Sequence, residues 1–194
     1  MPALRRREAA ITPRYSAAVP ARRTARRLTL AAGLTALAAL GGGPAVAAQG
    51  DVSIYKSPLL WSTVNVCDTV SHPDTVGVRG SMPGSGVPGE QMFMRFQLQF
   101  FDRKDKAWHN IGATGDSGFV PLGPAKFKER QSGRNFTVRP PRTGAFVLRG
   151  AVTFEWRKDG EVVRRARKRT SGKRGPTVGA DPSGFSAARC RVRA

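Results

Sequence analysis

Histidine is almost missing from this chain, which has only His72 and His109. Acid is scarce too, with 13 Asp and Glu against 33 Lys and Arg, and cysteine is confined to Cys67 and Cys190. Each shortage removes chemistry. Two distant cysteines with no histidine beside them make a poor zinc site. No CxxC, HExxH or glycine-rich phosphate loop occurs. A hydrolytic triad needs a histidine between a nucleophile and a carboxylate, but His72 sits in the turn-like "SHPD" and His109 in "WHN" at a strand end. "GDSG" (115–118) shares four residues with the nucleophile segment of trypsin-like proteases. The chain is too short for their two barrels, and Asp116 and Ser117 read as turn formers. The carboxylates are dispersed, several in turns, so no pair stands out as a glycosidase acid and base. These absences point away from an enzyme, and no catalytic residue, metal ligand or cofactor is expected.

Long apolar runs are missing as well. The most apolar stretch, "LTLAAGLTALAAL" (28–40), has 13 residues, short of the roughly 20 that a spanning helix needs. Eight arginines precede it within the first 27 residues, and "GGGPAVAA" follows. A basic segment, a short apolar segment and small residues, in that order, make a secretory signal. Residues 1–48 are therefore expected to be a cleaved signal peptide and 49–194 a single domain, secreted and without a transmembrane span. "RRLTL" (26–30) resembles a twin-arginine signal, but Thr29 stands where that signal prefers an apolar residue, which favours the general secretory route. Arginine exceeds lysine 25 to 8 and alanine and glycine are abundant, a bias of GC-rich bacterial genomes.

Helical periodicity is absent after the leader, where the pattern is β. "MFMRFQLQF" (92–100) puts Met92, Met94, Phe96, Leu98 and Phe100 on one face, and Phe93, Arg95, Gln97 and Gln99 on the other. "FVLRGAVTFEWR" (146–157) repeats the alternation, with Gly150 interrupting the apolar face as a bulge or a close approach would. "KDGE" then offers Asp159-Gly160 as the tip of a type I′ hairpin. Shorter candidates are 62–69, 75–82, 118–122, 135–139 and 185–192, and "AWHNI" returns after "DRKDK" as a hairpin. "PAKFKERQS" (124–132) is compatible with one helical turn. Short strands at this spacing predict an all-β antiparallel sandwich or barrel.

Charge is what the chain has in excess. Residues 48–194 keep 25 basic and 12 acidic side chains, a net +13. An exported protein of that charge meets phosphate and carboxylate polymers in a cell envelope. Its two cysteines, in an oxidising compartment, predict a Cys67–Cys190 disulfide. Arg164, Arg165, Arg167, Lys168, Arg169, Lys173 and Arg174 crowd into eleven positions. On a strand, Arg165, Arg167 and Arg169 share one face, and Arg164 and Lys168 the other. Two roles are open: charge guarding an edge strand against pairing with other copies, or a surface that binds anions. The aromatics mostly fall on the inward period, so single-stranded nucleic acid, which needs stacking rings, is not expected as the physiological partner. Oligomeric state is not legible.

"TVNVCDT" early, "LRGAVTFEWRKDGEVV" late and "SAARCRV" at the end resemble the small secreted immunoglobulin-like β-sandwich proteins of actinobacteria. The resemblance covers about residues 52–194. It implies a single immunoglobulin-like antiparallel sandwich whose role is binding or structural, with anionic envelope polymers as candidate partners. It departs from antibody domains, because the first Trp after Cys67 is Trp108 and the cysteines are far apart. The alternative is a small secreted enzyme or an inhibitor presenting "PGSGVPGE" (83–90) or "PTVGADPSG" (176–184).

Overall fold

Nine strands follow one another: β1 (Trp61–Cys67), β2 (Thr75–Pro83), β3 (Gln91–Asp102), β4 (Ala107–Asn110), β5 (Asp116–Pro124), β6 (Glu129–Thr137), β7 (Ala145–Lys158), β8 (Glu161–Arg169) and β9 (Cys190–Arg193). The computed structural model describes residues 54–172 and 177–194. The leader expected over 1–48 lies outside the described residues, as do Lys173 and Arg174. Among the described residues no helix is long and apolar enough to cross a membrane.

Among the described residues the nine strands form two antiparallel sheets. The smaller has the order β1-β2-β6. The larger is built on two long strands, β3 and β7, paired from Gln91↔Arg157 to Phe100↔Leu148. Their outer edges are each shared by two shorter strands. β4 takes Gln99–Asp102 of β3 and β5 takes Gln91–Gln97. β8 takes Ala151–Lys158 of β7 and β9 takes Ala145–Leu148.

The alternation read from the sequence sets which face is buried. Met92, Met94, Phe96 and Leu98 of β3 and Leu148, Val152, Phe154 and Trp156 of β7 are buried against Val76, Val78 and Met82 of the smaller sheet. Trp156 Nε1 donates to the Pro83 carbonyl (3.1 Å), which satisfies the one polar atom of that ring. Gly150 is the close approach: a Cβ there would lie 2.5 Å from Val78 Cγ1. At the β7–β8 tip Asp159 and Gly160 have φ of 52° and 88°, the pair of positive angles that a type I′ turn requires.

Three expectations change. Residues 125–128 form no helical turn. They link β5 to β6 across the two sheets and are pinned by amide–carbonyl bonds: Ala125 to Glu90, Gly84 to Lys128 and Gly86 to Ala125. The same bonds tie down the loop 83–90. Residues 185–192 are not one strand. Ala187 exchanges backbone bonds with Val64 on β1 (2.9 and 3.0 Å), Asp181 N–H donates to Asn65 (2.9 Å), and the chain then crosses to β7 as β9. Asp116 and Ser117 do not make a turn; they open β5.

The Cys67–Cys190 disulfide is present, joining the end of β1 in one sheet to the start of β9 in the other over 123 residues of sequence. The segment 181–193 and this bond therefore tie the smaller sheet to the larger.

Candidate anion-binding face

β8 lies at the edge of the larger sheet, and among the described residues no strand continues past it. Its register fixes the direction of each charge. Arg165, Arg167 and Arg169 stand opposite Glu155, Thr153 and Ala151 on the outer face, whereas Arg164 and Lys168 stand opposite Trp156 and Val152 on the inner one.

The partners divide the seven candidates further. Arg164 pairs with the buried Glu90. Arg165 pairs with Glu155 at 2.7 Å, and Arg157 reaches the other oxygen of the same carboxylate at 2.6 Å. Glu155 is fully buried although it points outward, and both arginines are bonded to it. Arg167, Lys168 and Arg169 make no ion pair among the described residues. Lys173 and Arg174 lie outside those residues.

Two arginines from other segments join Arg167 and Arg169. Arg149, on β7, lies over the ring of Trp108 of β4 at 4.1 Å, and Arg189, just before β9, lies 5.4 Å from the same ring. Arg149 Nε donates to Gln99 Oε1 (2.9 Å), and Gln99 Nε2 donates to Asn110 Oδ1 (3.0 Å), which holds the amide in place. Burial pushes Arg149 below the usual guanidinium range, and the like charges of Arg169, Arg189 and Arg167 push it the same way. A recess of about 490 Å3 is lined by Gln99, Trp108, Arg149, Arg167, Lys168 and Arg169. A second, of about 500 Å3, shares Trp108 and takes in Arg103, Arg189 and Arg191.

At its other end the face is compensated. Arg95 holds Asp116 through Nε–Oδ1 (2.9 Å) and Nη2–Oδ2 (2.5 Å), and Gly118 N–H and Gln97 Nε2 donate to the same carboxylate. These bonds, Arg95 foremost, hold Asp116 below the usual carboxylate range. Arg157 spans Phe93 and Phe119 at 4.3 and 4.6 Å. Near β5 the three arginines Arg95, Arg157 and Arg165 thus share two carboxylates, whereas among the described residues none pairs with the arginines near Trp108.

Among the described residues, the serine and histidines singled out in the sequence have local partners. Ser117 Oγ accepts from Phe96 N–H (2.9 Å) and donates to the Gly118 carbonyl (2.7 Å). His72 Nδ1 is bonded to Asp181 (2.8 Å) and His109 Nε2 to Asp105 (2.6 Å). Asp102, Asp105 and His109 converge on the β3–β4 hairpin, but the two carboxylates there accept from the turn amides of Lys104 and Ala107.

Sequence reasoning located the β8 half of this cluster and missed Arg149, Arg189 and Trp108. Alternation places Arg149 outward, which is half of the needed signal. That it meets Arg189 over Trp108 depends on pairings between segments 40 residues or more apart.

No family model matches the sequence, and no curated protein matches it. Among solved structures, part of the chain is similar to the Pseudomonas fluorescens alkylpurine DNA glycosylase AlkC bound to DNA containing an abasic site analog. The identity is 14%, over 57% of this chain and 28% of that one, with a TM-score of 0.28. At that score the likeness bears on neither fold nor function.

Proposed function

We propose that this is an exported, non-catalytic protein whose immunoglobulin-like two-sheet domain binds an anionic polymer of the cell envelope or its surroundings through Arg149, Arg167, Arg169 and Arg189. The observation that carries the reading is the gathering of four guanidinium groups around Trp108 with no carboxylate paired to any of them among the described residues. Like charges held together raise the local potential and attract a polyanion. Elsewhere on the same sheet Arg157, Arg165 and Arg95 have carboxylate partners, in contrast to the four arginines around Trp108. Export is supported by the order of the N-terminal segment and is compatible with the disulfide.

The test is a titration of the protein with a short lipid-free teichoic acid at two salt concentrations. For about four phosphates neutralised, the log–log salt slope of a single-stranded polyphosphate is about −2.8, so a fourfold rise in salt weakens binding about 50-fold. Arg167→Ser with Arg169→Ser should halve the slope and leave about a 7-fold effect. Salt-independent binding, or an unchanged slope in the variant, overturns the reading.

The edge position of β8 favours a second role alongside the first. Arg165, Arg167 and Arg169 keep the open edge from pairing with another copy. Light scattering on the same variant reads this role, which predicts association on loss of the charges.

A further inference from the structure

We propose that this face grips the backbone of a phosphodiester chain and makes no use of rings in the ligand, because Trp108, Phe93 and Phe119 on it already carry an arginine over the ring and Phe101 packs against Trp108. The inference rests on the binding role proposed above and narrows it to ligands recognised by their repeating phosphates.

Proteins that hold single strands without sequence preference set bare aromatic rings along a basic groove, and the bases stack on them. Here the rings are not bare. Arg149 lies 4.1 Å over Trp108, and Arg157 lies 4.3 Å over Phe93 and 4.6 Å over Phe119. A base approaching Trp108 over that face must expel Arg149 and break its bond to Gln99 Oε1.

The same geometry suits phosphate. A guanidinium lying flat on a ring keeps its N–H edge free for in-plane contacts. Of the five N–H donors on Arg149, the one on Nε goes to Gln99, and the Nη donors make no other hydrogen bond among the described residues. The ring contact and the bond to Gln99 place the group before any ligand arrives, so less freedom is lost on binding. Arg167 and Arg169, two residues apart on the outer face of β8, lie about 6 to 7 Å apart along the strand, close to the repeat of an extended phosphodiester. Trp108 is therefore a prop that positions Arg149, and the charges do the binding.

Two probes of equal length and charge separate backbone from base: a dodecamer of thymidylate and a dodecamer of propanediol phosphate, which has the phosphodiester but no ring. Each is titrated against the full chain by fluorescence anisotropy at low salt. The expected result is two dissociation constants within about twofold. In Trp108→Leu both affinities should fall together, severalfold, as Arg149 loses its support, and Arg149→Lys should lower both because an ammonium cannot lie flat on the ring. Thymidylate binding tenfold or more tighter than propanediol phosphate overturns the inference while leaving the polyanion role intact. Binding of neither probe, nor of teichoic acid, removes both. The wild-type comparison stands even if Trp108→Leu fails to fold.

Discussion

Gly150→Ala should destabilise the fold even though alanine suits a strand better than glycine. Gly150 is on the inward face of β7, opposite Leu98. An added Cβ would lie 2.5 Å from Val78 Cγ1, 2.8 Å from Val78 Cγ2 and 2.8 Å from Thr170 Cγ2. Carbon atoms in contact sit about 3.5 to 4.0 Å apart, so all three distances fall short by about 0.7 to 1 Å. Both methyls of Val78 straddle the site, so a small rotation exchanges one clash for the other. Val78 is fully buried in the middle strand of the smaller sheet, and relief requires the two sheets to part. Overpacking of this kind costs about 1 to 3 kcal/mol. The reduced freedom of the unfolded chain offsets roughly 0.4 to 1 kcal/mol, which at the middle of both ranges leaves a net loss of about 1 to 2 kcal/mol. In urea, with a slope of about 2 kcal/mol/M, that is a midpoint lower by about 0.5 to 1 M. Val78→Ala alone should cost about 2 to 3 kcal/mol, from two buried methyls and the space they leave. Combining the two changes puts the new methyl where the old ones were, so the double variant should be at least 1 kcal/mol more stable than the sum predicts. A Gly150→Ala protein as stable as the parent, or a double variant that is merely additive, would refute the close approach of the sheets.

Four further outcomes follow from the contacts. Cys190→Ser, by opening a link across 123 residues, should cost about 2 to 5 kcal/mol in urea unfolding, and reductant should reproduce the loss in the parent. Asp116, held below its usual range chiefly by Arg95, contributes stability that is complete above the ordinary carboxylate value of 3.8 and is lost as pH falls through its lower folded value. Urea midpoints taken from pH 6 downward should therefore show the advantage over Asp116→Asn narrowing only in acid. Glu155→Gln should cost about 1 to 3 kcal/mol by leaving two arginines against a fully buried amide. Arg165→Ser should cost under about 1 kcal/mol, since its side chain is 63% exposed and Arg157 still holds the carboxylate.

Strands were legible where alternation was strict, as in β3 and β7, because a half-buried sheet leaves its period in the sequence. The β7–β8 hairpin was legible because Asp-Gly meets a specific backbone demand. The disulfide followed from the cysteine count and the expected compartment. The segment 185–192 misled because its short apolar residues serve two sheets in turn, and a period of two carries no record of a change of partner. Alternation turns Glu155 outward, as the register has it, but a period of two carries no record of its burial beside Arg157 and Arg165. The arginine cluster was half visible. The run on β8 is contiguous, whereas Trp108, Arg149 and Arg189 meet only through strand pairing.

The division of labour between long and short strands has a consequence for motion. β3 and β7 run through the middle of the larger sheet with partners on both edges, so their amides should exchange with solvent last. The corner at Trp108 is framed by β4 and β9, four residues each, too few to hold themselves in place. What fastens β9 from the other side is the bond at Cys190. Reduction should therefore quicken amide exchange in β9 long before it reaches β3. Arg189 and Arg191, carried on that stretch of chain, would lose their fixed bearing on Trp108 while the core stays closed.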